Sequence, residues 1–353
     1  MVTLREVAQA AGVSPSTASA ALRGMDIVKP QTRKKVTQAA ERLHYRANLP
    51  ARALRSGRSG IFTLIVPDLE NAFYARLANS LATELDNRDL RLIIQVSQFN
   101  KDKELSQVSE LTSSMCDGLF ICSTHNSGRE IGRVSHGLPV LLFDDMSTQE
   151  NTCFDSIETP SREGIGAAIR HLYDCGRRRI GIVGGFPPSN RTPPTLGVTL
   201  RENRYKQALA TLDQLGLDSG QALVPSDWTT REGRLTAHHL VEDGLGFDAL
   251  CCMNDSLALG ILRGLAECGI QVPGQVAVTG FDGIAPGGYI TPTLTTVAVD
   301  FTSMAVMAVS MMEDQLGGRG RQSRPMPRRI IVGYRLLKRE STVGRSAAGP
   351  DII

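Results

Sequence analysis

No stretch of the 353 residues approaches the roughly 18 apolar positions needed to span a bilayer, and runs such as Leu138 to Phe143 fall far short. Met1 leads directly into a charged amphipathic segment, so neither a membrane partner nor a secretory leader is expected. The seven cysteines (116, 122, 153, 175, 251, 252 and 268) include no CxxC pair, and Cys251 and Cys252 are adjacent inside an apolar run. That disfavours zinc and disulfide frameworks and fits a reducing cytoplasm. Enzymatic signatures are also thin. GIVGG at 181–185 lacks the full G-x-G-x-x-G and the acid that marks a ribose site, and reads as a strand-to-loop turn. Asp144-Asp145 are neighbours that point apart, with no G-x-S-x-G nucleophile beside them. His238-His239 belong to an amphipathic helix with no second ligand cluster. No catalysis, metal or cofactor is expected. What remains is ordinary globular composition, 41% hydrophobic and 21% charged, in a chain long enough for two or three domains.

The modest net charge of +3 hides an asymmetry. Residues 1–60 carry eleven Lys/Arg against three acids, a net of +8, which leaves −5 for the rest. A cationic head on a slightly acidic body suits phosphate binding, although a solvated basic face produces the same pattern.

Within the head, Thr3-Leu4-Arg5-Glu6 is a capping box that starts a helix running to about Ala11, where Gly12 supplies the turn. Ser14-Pro15 starts a second helix through Ala18, Ala21 and Leu22 to Gly24. Thr32 can cap a third, with Val36, Ala39, Ala40 and Leu43 on one face and cations at 33, 34 and 35 on the other. Small residues at Ala8, Ala11 and Ala18 let the first two helices approach closely, as a helix-turn-helix requires.

With TLREVAQAAGVSPSTASAALRG and TRKKVTQAAERLHYRANLPARALRSGRS, the head resembles the DNA-binding head of the LacI family of bacterial transcriptional regulators. The resemblance implies contacts to double-stranded operator DNA from Thr3, Pro15, Ser16, Thr17, Ser19, Ala20, Arg23, Thr32 and Tyr45. It also implies a hinge helix over 48–59, with Asn48 as its cap, Arg52 and Arg55 toward phosphates and Leu54 as a minor-groove wedge. The family often has arginine where this chain has Ala20, so its preferred half-site should differ.

From Gly60 onward a β-α-β rhythm appears: IFTLIV, LRLIIQV, DGLFICS and LPVLLFDD, with amphipathic segments between them. RRIGIVGG, FDALCCMND and QVAVTGFDG then repeat it, with equivalent strands starting 119 residues apart at Ile61 and Ile180. The expected fold is a small all-α helix-turn-helix domain (1–47) and hinge (48–59) before an α/β core (60–345) of two doubly wound parallel-sheet lobes. Lobe 1 is expected at about 60–160 and 291–321, lobe 2 at about 161–290 and 322–345, with crossovers near 160, 290 and 322 and a tail at 346–353. Ligands in such sheets sit beyond the carboxyl ends of the strands. The core resembles the LacI family core, and through it periplasmic sugar-binding proteins, over about residues 2–345.

Candidate effector contacts at the strand ends are Asp68, Asn71, Phe73, Tyr74, Asp144, Asp145, Asn254 and Asp282, with Asp255 expected to cap the helix DSLALG. The family pattern adds Arg201, four residues before Tyr205, and Trp228, the only tryptophan, as a surface for a ligand ring. Carboxylates and an arginine can pair with vicinal hydroxyls while an aromatic face covers a sugar ring, which implies a carbohydrate effector. The chain departs from the family at Asp145, at Glu158-Thr159 and at Arg204, where the family has glycine. The expectation is a homodimeric, effector-controlled repressor on a near-palindromic operator, with dimer contacts from helices near 74–87 and 301–316. The tail lacks apolar heptads and suggests no tetramer. A solute-binding protein without a DNA role is the alternative, and it leaves the +8 head without purpose.

Overall fold

A computed structural model describes residues 2–22, 27–45, 58–123, 126–144, 153–185, 200–317 and 326–345, without the side chains of 200–202. The chain divides into Met1–Ser59 and Gly60–Ile353.

The first unit contains helices α1 (Leu4–Ala11), α2 (Pro15–Leu22) and α3 (Pro30–Arg42). Both halves of the capping box form: the Glu6 amide donates to Thr3 Oγ1 at 3.4 Å and the Thr3 amide to Glu6 Oε2 at 2.6 Å. Gly12 ends α1 at φ +67°, a conformation that glycine adopts without strain. Ser14 Oγ accepts from the Thr17 amide at 3.1 Å and Pro15 takes the first turn, where its missing N–H costs nothing. Val7, Ala8, Ala18, Ala21, Val36 and Ala39 fill the small core. Thr32 does not cap α3. Pro30 starts that helix one turn earlier, with Lys29 at the cap and no side-chain hydrogen bond there.

The second unit holds two six-stranded sheets. The first contains β1 (Ile61–Val66), β2 (Arg91–Val96), β3 (Gly118–Ile121), β4 (Val140–Phe143) and β5 (Asp155–Glu158), with helices α4 (Ala72–Asp86), α5 (Lys101–Glu110) and α6 (Gly128–Val134) between strands. The chain then passes into α7 (Ser161–Asp174), β6 (Ile180–Val183), α8 (Leu200–Gln214), β7 (Leu223–Val224), α9 (Thr230–Glu242), β8 (Ala249–Cys252), α10 (Asp255–Glu267) and β9 (Ala277–Asp282). It finishes with β10 (Thr295–Val299), α11 (Phe301–Gly317), β11 (Arg329–Ile331), β12 (Tyr334–Leu337) and α12 (Glu340–Val343). The strand orders are β11-β5-β4-β3-β1-β2 and β12-β10-β9-β8-β6-β7, one topology used twice. Every pairing is parallel except β10 with β12. Central strands such as β3, β4, β8 and β9 are buried throughout because helices cover both faces, which is why they read as apolar runs.

Two of the expected crossovers shift. Residues 291–299 belong to the second lobe, because β10 pairs with β9 (Thr295↔Thr279, Val297↔Phe281). Residues 329–331 belong to the first, because β11 pairs with β5 (Ile330↔Ile157). The chain therefore crosses at 159–160, at Asp300 and at Val332-Gly333. These crossings touch one another: the Val332 amide donates to Glu158 O at 3.0 Å and the Asp300 amide to Gly333 O at 3.3 Å. Among the described residues no helix is long and apolar enough to cross a membrane.

Candidate functional site

In the head, the amino-terminal face of α2 is open. Pro15 and Ser16 are exposed, Thr17 and Ser19 half-buried, and Ser14 Oγ lies 2.8 Å from both Ser16 Oγ and Thr17 Oγ1, which orders these hydroxyls. Ala20 differs from expectation: it is 6% exposed and packs in the core of the head, so it offers no surface to a base edge. Thr3 is exposed, while Thr32 and Tyr45 are half-buried, Tyr45 against the head core. Arg23, Asn48, Arg52, Leu54 and Arg55 lie outside the described residues.

In the core, strand ends from both sheets converge. Asp144 follows β4 and Asp282 ends β9, equivalent places in the two sheets, and both have positive φ, 51° and 121°. Non-glycine residues rarely adopt such values, and they concentrate at functional sites. Asp144 Oδ1 accepts from the Thr159 amide at 2.6 Å and Thr159 Oγ1 at 2.8 Å, tying the carboxylate to the first crossover. Burial pushes the Tyr74 phenol well above its ordinary value, helped by Cys122 and then by Asp68 and Asp144 of the first lobe and Asp282 of the second. Acids of both lobes thus act electrostatically on one hydroxyl.

Arg204, on α8, is the cation at the centre. It is 2% exposed. Its Nε donates to Ser161 Oγ at 3.1 Å, Nη1 to Met253 O at 2.5 Å and Nη2 to Thr159 Oγ1 at 3.4 Å, with Asp282 Oδ1 at 3.9 Å. The guanidinium lies 3.7 Å from the Phe281 ring centre and 5.1 Å from that of Trp228. Burial lowers its pKa, opposed by Asp282, Asp144, Tyr74 and Asp255. Burial likewise raises Asp144 and, well above the ordinary range, Asp282. Sequence reasoning marked Arg204 only as a departure from a family glycine. The available signal was its position on the buried stripe of α8, four residues before Ala208 and eight before Leu212, both fully buried.

Other candidates are already engaged. Asn71 caps α4, accepting from the Phe73 amide at 3.0 Å, and its own amide donates to Asp68 Oδ1 at 2.7 Å. Asn254, not Asp255, caps α10, accepting from the Leu257 amide at 2.9 Å. Asp255 is fully buried, accepting from Thr296 Oγ1 at 2.6 Å and the Ile284 amide at 2.8 Å. Phe73 is buried against Tyr74 and Phe301. Trp228 Nε1 donates to Gly184 O at 2.8 Å, and Arg204 stands over its ring where the resemblance places a ligand. Asp145 and the Arg201 side chain are outside the described residues. Among the described residues no group of His, Cys, Asp and Glu is arranged to hold a metal ion.

Comparisons with known proteins agree with this division. Residues 3–48 match the model for bacterial regulatory proteins of the lacI family, and 169–342 match the periplasmic binding protein-like domain. The head is thus similar to the heads of lacI-family regulatory proteins, and the second half of the chain to a periplasmic binding protein-like domain. The chain is 28% identical over 351 residues to the HTH-type transcriptional regulator AscG of Escherichia coli (strain K12), covering 98% of the chain and 100% of that protein. A lac repressor dimer bound to operator and the anti-inducer ONPF shares its fold, with a TM-score of 0.78 at 22% identity over 97% of this chain and 99% of that one. So does a LacI-family regulator from Arthrobacter sp. FB24 in complex with lactose, with a TM-score of 0.66 at 23% identity over 80% and 99%. Several of its relatives are HTH-type transcriptional regulators.

Proposed function

We propose that this chain is a LacI-family regulator, a homodimeric repressor of a near-palindromic operator, released or engaged by a carbohydrate effector in the cleft between its lobes. The observation that supports the sensing half is buried Arg204, which donates to Thr159, Ser161 and Met253 O and lies 3.9 Å from Asp282, while Asp144 accepts from the same Thr159. A ligand binding there touches both lobes at once and changes their relative stability. Paired carboxylate and guanidinium groups suit vicinal hydroxyls, and the lactose held by the Arthrobacter relative is of that class. Arg204 already covers Trp228, so the sugar is held by its hydroxyl edges more than by ring stacking.

The reading half rests on Pro15 and Ser16, exposed at the start of α2 in a head of net charge +8. Two heads would occupy successive half-sites, as the operator-bound lac repressor dimer suggests. Thr3, Thr17, Ser19, Arg23, Thr32 and Tyr45 of the head are the supporting contacts in this reading, together with Asn48, Arg52, Leu54 and Arg55 of segment 48–59. Selection of the full chain against random duplexes should recover a two-fold symmetric sequence, and Ser16→Ala should relax its specificity by about 1 kcal/mol or more. Recovery of no sequence preference would reject the repressor reading.

A further inference from the structure

At the far end of α10 from the cleft, roughly 20 Å along its axis from Asp255, three side chains line up outside the site described above. His238, on α9, places Nε2 2.8 Å from Glu267 Oε2 and Nδ1 3.4 Å from Cys268 Sγ. An ionised carboxylate can only accept, so the Nε2 proton belongs to the bond with Glu267 and the Nδ1 lone pair faces the thiol. Glu267 also accepts from Arg234 Nε at 2.7 Å and Arg263 Nε at 2.8 Å. The His238 bond first, then Arg263, holds its carboxyl down to about 2. His238 stands between the other two groups, a chain from carboxylate to imidazole to thiol and not a convergent metal cage.

Cys268 and His238 are part exposed, and the flanking Arg234 and Arg263 side chains are 50% and 70% exposed. Cys153 is likewise part exposed, and the other five thiols differ. Cys116, Cys122, Cys251 and Cys252 are buried, and burial pushes Cys251 up to about 11. Cys175 approaches His171, but that histidine is buried with Nε2 2.8 Å from Thr342 Oγ1, and burial raises the Cys175 thiol.

We propose that Cys268 is a nucleophilic thiol, with His238 as its proton acceptor and Glu267 as the group that orients His238, and that its reaction partner is a small anionic disulfide. The Cys268 proton passes to His238 Nδ1 and the thiolate sulfur attacks one sulfur of the disulfide. That S–S bond breaks as a new S–S bond forms to Cys268, and the departing thiolate takes the proton from His238. The disulfide is the oxidant, so no other is needed. Arg234 and Arg263 supply the positive rim that draws in carboxylates.

The full chain is mixed with 5,5′-dithiobis(2-nitrobenzoate), an anionic disulfide, and thiolate release is followed. One fast phase equal to one thiol per chain is expected, about tenfold faster than the slower thiols, since an unassisted cysteine is only a few per cent thiolate near neutrality. Cys268→Ser should remove that phase, His238→Gln and Glu267→Gln should each slow it, and Cys175→Ser should leave it intact. With free glutathione as the reference thiol, Cys268 should react faster than it with the anionic disulfide and should lose part of that lead with the neutral 2-hydroxyethyl disulfide. A fast phase that survives Cys268→Ser, or that His238→Gln and Glu267→Gln both leave unchanged, would overturn the site. An equal advantage with the neutral disulfide would overturn the anionic partner.

Discussion

The two lobes repeat one strand order, and each sets an arginine at the fifth position of the helix that follows its first strand, Arg76 on α4 and Arg204 on α8. The two then part. Arg76 is exposed, lies 4.9 Å over the Phe301 ring and donates across to Gly283 O of the other lobe. Arg204 is buried, faces Phe281 and binds the first crossover through Thr159 and Ser161. Repetition fixed where the arginines stand, and their surroundings decided what they do: one bridges lobes at the solvent edge, the other neutralises acids inside. Burial makes the second costly unless its partners remain, whereas the first is screened by water.

The largest expected effect separates the pair. Arg204→Leu leaves Asp282 and Asp144 buried without their cation and should cost about 3 kcal/mol or more in urea unfolding of the full chain. Adding Asp282→Asn should recover part of that loss, and no recovery would show that the two groups are not coupled. Next comes pH. Burial raises Asp255 to about 6, above its unfolded value near 3.9. The folded state therefore binds the proton more tightly, and this group's stabilisation is fully present below about pH 4 and lost as pH rises through about 6. Asp255→Asn should lose this dependence, so that its stability difference from the parent changes between pH 4 and 6, whereas Glu130 of the first lobe, held to about 2 by Lys101, acts in the opposite sense at lower pH. The smallest effect belongs to the exposed arginine: Arg76→Ala should change stability by about 1 kcal/mol, while altering effector affinity because its carbonyl partner lies in the opposite lobe. A loss as large as that of Arg204→Leu would erase the contrast.

Legibility in the sequence followed the same physics. Strands covered on both faces announce themselves as apolar runs, and the capping box and Ser14-Pro15 set the boundaries of α1 and α2. β5 gave no such sign, because Asp155, Ser156 and Glu158 are buried polar residues held by partners distant in sequence, Arg328 at 2.9 Å and Arg329. The two displaced crossovers have a similar origin: local pattern identifies β10 and β11 as strands but carries no record of which sheet receives them. Asp144 and Asp282 were legible as strand ends, whereas Arg204 was not, since one cation on an apolar stripe ordinarily argues against burial. The Cys268–His238 contact joins two helices and has no local signature.

The most direct test of a head coupled to a two-lobed sensor is the affinity of the full chain for its selected duplex, measured by fluorescence anisotropy with and without the sugar that most raises its melting temperature. The account predicts that the sugar shifts this affinity, and that saturating duplex shifts sugar affinity by the same factor, because coupling between sites is reciprocal. Tight binding of both ligands with neither affecting the other would contradict it.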